Sequence, residues 1–151
     1  MTRRSIGHGL ELDDDRDRVD VDVVFAFLSE EAYWVPGRSR ETIERLIRES
    51  TRVVAAYDGE ALVGFCRVVS DGSSVAWLGD VFVLGTHRGR GIATELVREA
   101  VEDPYVRDLQ WYLGTRDAHA LYRRFGFREP DDGRTMIRNR SARPEAGDGG
   151  A

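Results

Sequence analysis

The chain has little of several features that would assign it to a specialised class of protein. Its 151 residues include one cysteine, Cys66, which excludes an internal disulfide and a cysteine-rich metal site. No apolar run approaches the ~18–20 residues of a membrane span. The polar start, MTRRSIGHGLELDDD, lacks the apolar core of a signal peptide. We therefore expect a cytoplasmic protein without a membrane or metal partner.

A positive net charge is also missing. The chain has 22 basic and 27 acidic residues, and the formal net charge is -5. A nucleic-acid-binding protein needs a basic face to neutralise phosphates, so this balance argues against that class. The hydrophobic fraction of 41% and the charged fraction of 32% are ordinary for one soluble globular domain.

The first half of the chain predicts two helices followed by three antiparallel strands. Asp20 or Asp22 can cap the first helix, and Ser39 can cap the second. Two runs rich in β-branched residues then flank Asp58-Gly59, which is typical of a hairpin turn. A second turn, SDGSS, leads into a third strand, VAWLGDVFVL, which ends at a glycine-rich loop.

The second half predicts a helix, a strand, a helix and a final strand. The first of these helices begins near Ile92 and ends before Pro104. LQWYLGT is the strand, and the next helix is expected to start at an N-cap Asp117 and to end at Gly126. RTMIRN is predicted as the last strand. The crossover through the first helix predicts a parallel pair of strands within a mixed α/β domain.

We divide the chain into three segments. Residues 1–18 are expected to be a flexible start with a possible first strand near residues 9–12. Residues 19–140 form the folded domain. Residues 141–151 are small, polar and rich in glycine, which predicts a disordered tail.

The glycine-rich loop, within DVFVLGTHRGRGIATELV, has the composition of an anion site. A strand that enters a helix through such a loop leaves backbone N–H groups free at the helix N-terminus, where the helix dipole favours a phosphate. Gly89 and Gly91 allow a ligand to approach the backbone, and Arg88 and Arg90 add positive charge. A plain tight turn with solvated arginines, and a nucleotide-binding module of another fold, are the alternatives at this point.

Two motifs in order resemble the GNAT superfamily of acyl-CoA-dependent N-acetyltransferases. One is RGRGIA, residues 88–93, at the start of a helix, and the other is ALYRRFGF, residues 120–127, after the next strand. The resemblance covers about residues 53–137. It implies a central mixed, mostly antiparallel sheet of about six to seven strands flanked by about four helices. It also implies acetyl-CoA as co-substrate and an amine acceptor, more readily a small molecule than a protein, which attacks directly in a ternary complex.

The resemblance further implies which residues hold the co-substrate. The backbone of the strand would pair with the pantetheine arm, and the N–H groups of the loop and helix start would bind the pyrophosphate. Many members carry an asparagine that contacts the pantetheine close to where this chain has Asp117. The implied residues are Val81, Phe82, Val83, Arg88, Gly89, Arg90, Gly91, Ile92, Ala93, Thr94 and Asp117.

The same resemblance suggests two catalytic residues. Tyr122 stands where members carry the general acid that protonates the thiolate, although a tyrosine on a short helix is commonly a core residue. Asp80 interrupts an apolar strand beside the expected thioester. It would bind the amine or relay its proton through water, unless it is a hydrogen-bonded structural residue. Asp117 and His119 are the alternatives to Asp80.

The acceptor side is expected in the loop after the first helix. Tyr33, Trp34 and Arg38 lie there and would suit a small amine, including one that bears a carboxylate, while packing against the sheet is the alternative. His119 is a further candidate for acceptor contact. A non-catalytic acyl-CoA sensor is the competing function, and homodimerisation is common in the superfamily.

Overall fold

A six-stranded sheet with four helices forms the domain in the computed structural model, which describes residues 2–32 and 37–138. The strands are β1 Arg3–Gly7, β2 Leu10–Asp13, β3 Arg52–Asp58, β4 Ala61–Ser70, β5 Val75–Val83 and β6 Gln110–Tyr112. The helices are α1 Val21–Ala26, α2 Arg40–Glu49, α3 Ile92–Val101 and α4 His119–Arg123. A π-helical turn, Phe27–Glu31, extends α1. The predicted mixed α/β fold is confirmed.

The strands lie in the sheet in chain order, from β1 to β6. Every neighbouring pair is antiparallel except β5 and β6, which are joined through α3 and run parallel. The predicted parallel pair is therefore confirmed. β6 pairs only with the first three residues of β5, where Val75 to Trp77 lie opposite Gln110 to Tyr112. The rest of β5 has no pairing with β6.

Local side-chain caps begin the first two helices, as predicted. The carboxylate of Asp20 accepts hydrogen bonds from the N–H groups of Asp22 and Val23. The hydroxyl of Ser39 accepts from the N–H of Thr42. Each cap satisfies donors that a helix N-terminus otherwise leaves without partners.

The helices cover opposite faces of the sheet and form two cores. On one face, α1 and α2 pack on the alternate residues of β3, β4 and β5, and Phe27 stacks on Phe82 with 4.1 Å between ring centroids. On the other face, α3 packs through buried residues that include Leu96 and Val97. This arrangement places the glycine-rich loop and α3 on the face opposite to α1 and α2.

Three predictions differ from the structure. Residues 134–138 form no strand, and Met136 and Ile137 are 94% and 84% exposed, because no neighbouring element covers them. Asp117 is not the N-cap of α4: Ala118 occupies that position, and its N–H donates to the Thr115 hydroxyl at 3.0 Å. The start of the chain carries a two-stranded hairpin, in which β2 matches the strand expected near residues 9–12 and β1 was not predicted.

The tail predicted at residues 141–151 lies outside the described residues. Every helix within residues 2–32 and 37–138 is too short or too polar to span a bilayer.

Candidate active site

A bulge divides β5 into two halves. Phe65 lies opposite Phe82 and Arg67 lies opposite Gly79, which leaves Cys66 of β4 facing both Asp80 and Val81. Asp80 has a φ of 52°, in the left-handed region that few residues other than glycine adopt. Bulges of this kind bend a strand and redirect its backbone groups, often beside a functional site.

The second half of β5 forms a free edge that faces the gap beyond β6. The pairing of β5 with β6 ends at Trp77 and Tyr112, so the backbone from Gly79 to Val83 lies beyond the parallel ladder. Phe82 and Val83 are buried, and Val81 is half-buried. The three residues predicted to contact a pantetheine arm therefore lie on this edge. An extended ligand can hydrogen-bond to such an edge in the manner of an added strand.

The glycine-rich loop leads from β5 to α3 and leaves the helix N-terminus without a side-chain cap. Gly89 and Gly91 have φ values of 77° and 78°, and Gly91 is the N-cap of α3. A side chain at either glycine would meet no atom within 4 Å, so these positions require glycine for conformation and open onto free space. Uncapped N–H groups at the start of a ten-residue helix suit an anionic ligand.

The two arginines of the loop have different surroundings. Arg88 turns back towards the strand, and its Nε donates to the Val83 carbonyl at 3.2 Å. Arg90 is exposed, and no ion pair or hydrogen bond joins it to another residue in the described part of the chain. The cation of Arg90 is thus available to a ligand, whereas Arg88 holds the loop to β5.

His87 fastens the same loop to the β3–β4 hairpin. Its Nε2 lies 2.9 Å from Oδ2 of Asp58, and its Nδ1 lies 2.7 Å from the Thr86 hydroxyl. These contacts restrain the loop immediately before the N-terminus of α3.

Asp80 lies in a buried cluster with two arginines. Its Oδ2 accepts from Nη1 of Arg38 at 2.8 Å and from Nε of Arg67 at 2.6 Å. The side chains of Asp80, Arg38 and Arg67 are 2%, 9% and 12% exposed. Burial pushes the pKa of Asp80 upward, but the charge of Arg67 and the hydrogen bonds from both arginines outweigh it and hold the pKa below its ordinary value.

Sequence reasoning missed Arg67, although β4 carries a signal. An arginine stands within the otherwise apolar run LVGFCRVV, just as Asp80 interrupts β5. The two interruptions face one another across adjacent strands, because Arg67 lies opposite Gly79, the residue before Asp80.

The other predicted site residues have diverse positions. Arg38 belongs to the Asp80 cluster, as described. Tyr122 is buried in the core beneath α3, and its ring meets the Phe127 ring edge-on with 6.0 Å between centroids. His119 lies 3.8 Å from Glu129 and has no contact with the Asp80 cluster. Asp117 is exposed. Tyr33 and Trp34 lie outside the described residues.

The N-terminal residues of α3, which were also predicted to bind the co-substrate, differ in exposure. Ile92 is buried, whereas Ala93 and Thr94 are half-buried. The Thr94 hydroxyl accepts from Nη1 of Arg124 at 3.3 Å, which ties α3 to the end of α4.

A separate cavity of about 720 Å³ lies between the C-terminal half of α3, the start of β6 and the end of α4. Arg98, Trp111 and Phe127 are among its lining residues, and none of the predicted site residues lines it. The cavity is therefore distinct from the loop and from the Asp80 cluster. Among the residues that the structure describes, no group of three histidine, cysteine or acidic side chains could hold a metal ion.

Comparison with known proteins places these features in a family. The sequence profile of the acetyltransferase (GNAT) domain matches residues 49–129. A protein of the GNAT family from Xanthomonas campestris pv. campestris is 31% identical, with a TM-score of 0.82 over 89% of this chain and 94% of that one. No functionally curated protein matches the chain.

More distant structures share the fold. A candidate acetyltransferase from Deinococcus radiodurans R1 is 22% identical, with a TM-score of 0.70 over 93% of this chain and 94% of that one. A candidate acetyltransferase from Clostridium acetobutylicum, solved with acetyl-CoA, is 14% identical, with a TM-score of 0.66 over 86% of this chain and 96% of that one. With the family profile spanning more than half of its length, and with the bulged strand and glycine-rich loop in place, this chain belongs to the GNAT family of acetyltransferases.

Proposed function

We propose that the protein transfers an acetyl group from acetyl-CoA to the primary amine of a small molecule, by direct attack in a ternary complex. The observation that carries this proposal is the continuity of two backbone surfaces: the free edge of β5, Gly79–Val83, leads directly into the uncapped N-terminus of α3. A ligand with an extended arm and a pyrophosphate matches both surfaces at once.

The residues of the loop fit the pyrophosphate. The N–H groups from Gly89 to Thr94 would bind its oxygens, aided by the helix dipole and by the free cation of Arg90. Arg88 would act indirectly, because its guanidinium already bonds the Val83 carbonyl. The edge of β5 at Val81 to Val83 would orient the pantetheine arm. When bound, acetyl-CoA supplies the thioester whose acetyl group is transferred.

The bulge would place backbone donors beside the reacting carbonyl. The N–H of Val81, next to the strained Asp80, is our candidate for stabilising the negative charge that develops on the carbonyl oxygen. A backbone donor of this kind is preorganised, since β4 and the packing of Phe82 on Phe27 hold the strand.

Asp80 is a poor proton acceptor in this arrangement. A primary ammonium group has a pKa near ~10.4, whereas the pKa of Asp80 is held below that of an ordinary carboxyl. We therefore assign Asp80 a positioning role: it fixes Arg38 and Arg67 beside the bulge, and water takes up the proton of the amine.

Tyr122 is our candidate for the general acid. Its ring is held by the core and by edge-on contact with Phe127, so its hydroxyl would be presented in one orientation to the departing thiolate. Asp117 and His119, on the same segment, would contribute to binding rather than to proton transfer.

Two measurements test this function. Acetyl-CoA should raise the melting temperature of the protein, and thiol release from acetyl-CoA should depend on an added amine from a panel of small molecules. Stabilisation by acetyl-CoA without amine-dependent thiol release would favour the acyl-CoA sensor instead. Stabilisation by ATP or NAD, with no response to acetyl-CoA, would contradict the proposal and favour a nucleotide-binding module.

A further inference from the structure

The cluster of Arg38, Asp80 and Arg67 has an unbalanced charge. Two guanidinium groups, which are always protonated, share one carboxylate, so the cluster retains one positive charge. Arg38 and Arg67 are only 9% and 12% exposed, and both use the same oxygen of Asp80. Charge that is largely withdrawn from water and not neutralised is costly unless a partner compensates it.

Most donors of the two arginines are unused. Each guanidinium has N–H groups on three nitrogen atoms, yet Arg38 uses Nη1 alone and Arg67 uses Nε alone. No other side chain or carbonyl in the described residues accepts from them. The planar edge of Arg67 that bears Nη1 and Nη2 matches the paired oxygens of a carboxylate, the geometry in which arginine binds anions best.

Gly79 lets the side chains of Trp77 and Arg67 lie close together beside this edge. A Cβ atom built on Gly79 would lie 3.3 Å from Nε1 of Trp77 and 3.4 Å from Nη2 of Arg67. The indole and the guanidinium therefore both lie against the bare backbone of Gly79, where a side chain would crowd them. Gly79 is needed here for close approach rather than for an unusual φ.

An apolar surface continues from Gly79 along the same face of the sheet. Val69, Trp77 and Tyr112 are paired across β4, β5 and β6, and each is 44% exposed. Arg67 lies two residues before Val69, as Gly79 lies two residues after Trp77, so both share this face. The positively charged edge of Arg67 therefore lies next to this exposed apolar surface.

This exposed surface lies on the face opposite to α3. The alternate residues of the same strands, including Cys66 and Leu78, belong to the core beneath α3. A ligand arm that follows the free edge of β5 from the α3 loop would reach the bulge at Asp80, beside this surface. The acceptor and the acyl donor would then approach the bulge from opposite faces.

We propose, on the basis of the acetyl-transfer function above, that the acceptor is an amine that carries both a carboxylate and a large apolar or aromatic group, as a free amino acid does. Arg67 and Arg38 bind the carboxylate, and Trp77 packs against the apolar group. The amine nitrogen forms a bond to the acyl carbon as the carbon–sulfur bond breaks, and the electron pair leaves with sulfur. Of the two protons that the ammonium group loses, one goes to the thiolate and one to solvent.

The test compares matched amines with acetyl-CoA at saturation. L-phenylalanine, L-phenylalaninamide and phenethylamine share the aromatic group, but only the first carries a carboxylate. The amine of the amide is less basic and therefore more often neutral at pH 7, so intrinsic reactivity favours the amide. We expect kcat/KM for phenylalanine to exceed that for the amide by at least tenfold.

Variants of the arginines test whether these residues cause the preference for phenylalanine over its amide. Arg67→Gln should reduce the preference to less than about threefold, mainly by raising KM for phenylalanine, while acetyl-CoA still raises the melting temperature. The matched control is Arg45→Gln, because Arg45 is 70% exposed on α2 and its ion pair within the described residues is with Glu49. Its preference should equal that of the wild type. If Arg67→Gln does not fold, Arg38→Gln carries the same expectation.

Distinct outcomes overturn the two proposals. Equal or better turnover of the amide or of phenethylamine by the wild-type protein would refute the carboxylate-bearing acceptor, as would an unchanged preference in Arg67→Gln. Stabilisation by acetyl-CoA with no turnover of any of the three amines would also refute it. Absence of any response to acetyl-CoA would instead refute the acetyl-transfer function.

Discussion

Replacement of Asp80 by asparagine should destabilise the domain substantially. Asparagine has nearly the shape of aspartate and tolerates the left-handed φ of 52° at this position, so Asp80→Asn changes charge with little backbone strain. The variant leaves Arg38 and Arg67 close together without their shared carboxylate. Any loss of stability therefore reports the electrostatic role of Asp80.

The expected loss of stability in Asp80→Asn follows from the burial of the Asp80 side chain. Removing one partner of a buried ion pair costs roughly 3–5 kcal/mol. The 2% exposure of the Asp80 side chain leaves little solvent screening to reduce this cost. The amide oxygen of asparagine can still accept hydrogen bonds from the arginines, so we expect a loss near the lower limit, about 3 kcal/mol. For a domain of this size, that corresponds to a fall in melting temperature of roughly 6–12 °C.

The assay is urea unfolding at a series of pH values. Since the folded state lowers the pKa of Asp80, this group stabilises the protein fully above the pKa of the unfolded chain, ~3.9. The contribution disappears as pH falls from there through the folded pKa. The difference between wild type and Asp80→Asn should therefore be constant near neutrality and should shrink below about pH 4.

Asp22→Asn is the control, because Asp22 pairs with Arg40 on the surface and is 79% exposed. It should change the free energy of unfolding by less than about 0.5 kcal/mol. A loss below about 1 kcal/mol in Asp80→Asn at pH 7 would refute the reasoning, since the two arginines would then not depend on Asp80.

Three further variants test the remaining assignments. Tyr122→Phe should keep the melting temperature within about 2 °C and lower kcat at least tenfold, whereas Tyr105→Phe, at a 61% exposed position, should leave kcat unchanged; equal turnover in both would reject Tyr122 as the acid. Gly89→Ala should cost about 1 kcal/mol because of its φ of 77°, and should weaken stabilisation by acetyl-CoA, measured by thermal shift; full retention of that stabilisation would contradict the pyrophosphate site. Tyr57→Phe should leave the free energy of unfolding, measured in urea titrations, unchanged or raise it by about 1 kcal/mol. The reason is that the buried Tyr57 hydroxyl has no hydrogen-bond partner within the described residues, and burial raises its pKa to about 12. A clear loss of stability would indicate that a bound water satisfies the hydroxyl.

Features that depend on neighbouring residues in the chain were predictable. The caps at Asp20 and Ser39, the hairpin after Asp58 and the glycine-rich loop follow from side chains and turns within a few residues. The motif at residues 88–93 belongs to this group, because the backbone conformation of Gly89 and Gly91 is encoded locally. The conformation of this loop was therefore predictable from the sequence.

Features that depend on pairing between distant segments were not predictable in the same way. The strand predicted at RTMIRN was wrong within its described residues, 134–138, because a suitable local pattern cannot supply a neighbouring strand. Asp117 resembled an N-cap, but the helix begins two residues later. Arg67 was not predicted as a site residue, because its partner Asp80 is distant along the chain.

The sequence by itself determined the family, the order of most elements and the conformation of the loop before α3, because these depend on short-range backbone preferences and on a motif of adjacent residues. Only the tertiary structure showed which groups surround Asp80. The bulge that turns it inward arises from the register between β4 and β5, and its two arginines come from β4 and from the segment before α2. Charge compensation in a buried cluster is a property of packing, so it appears only when separate parts of the chain meet.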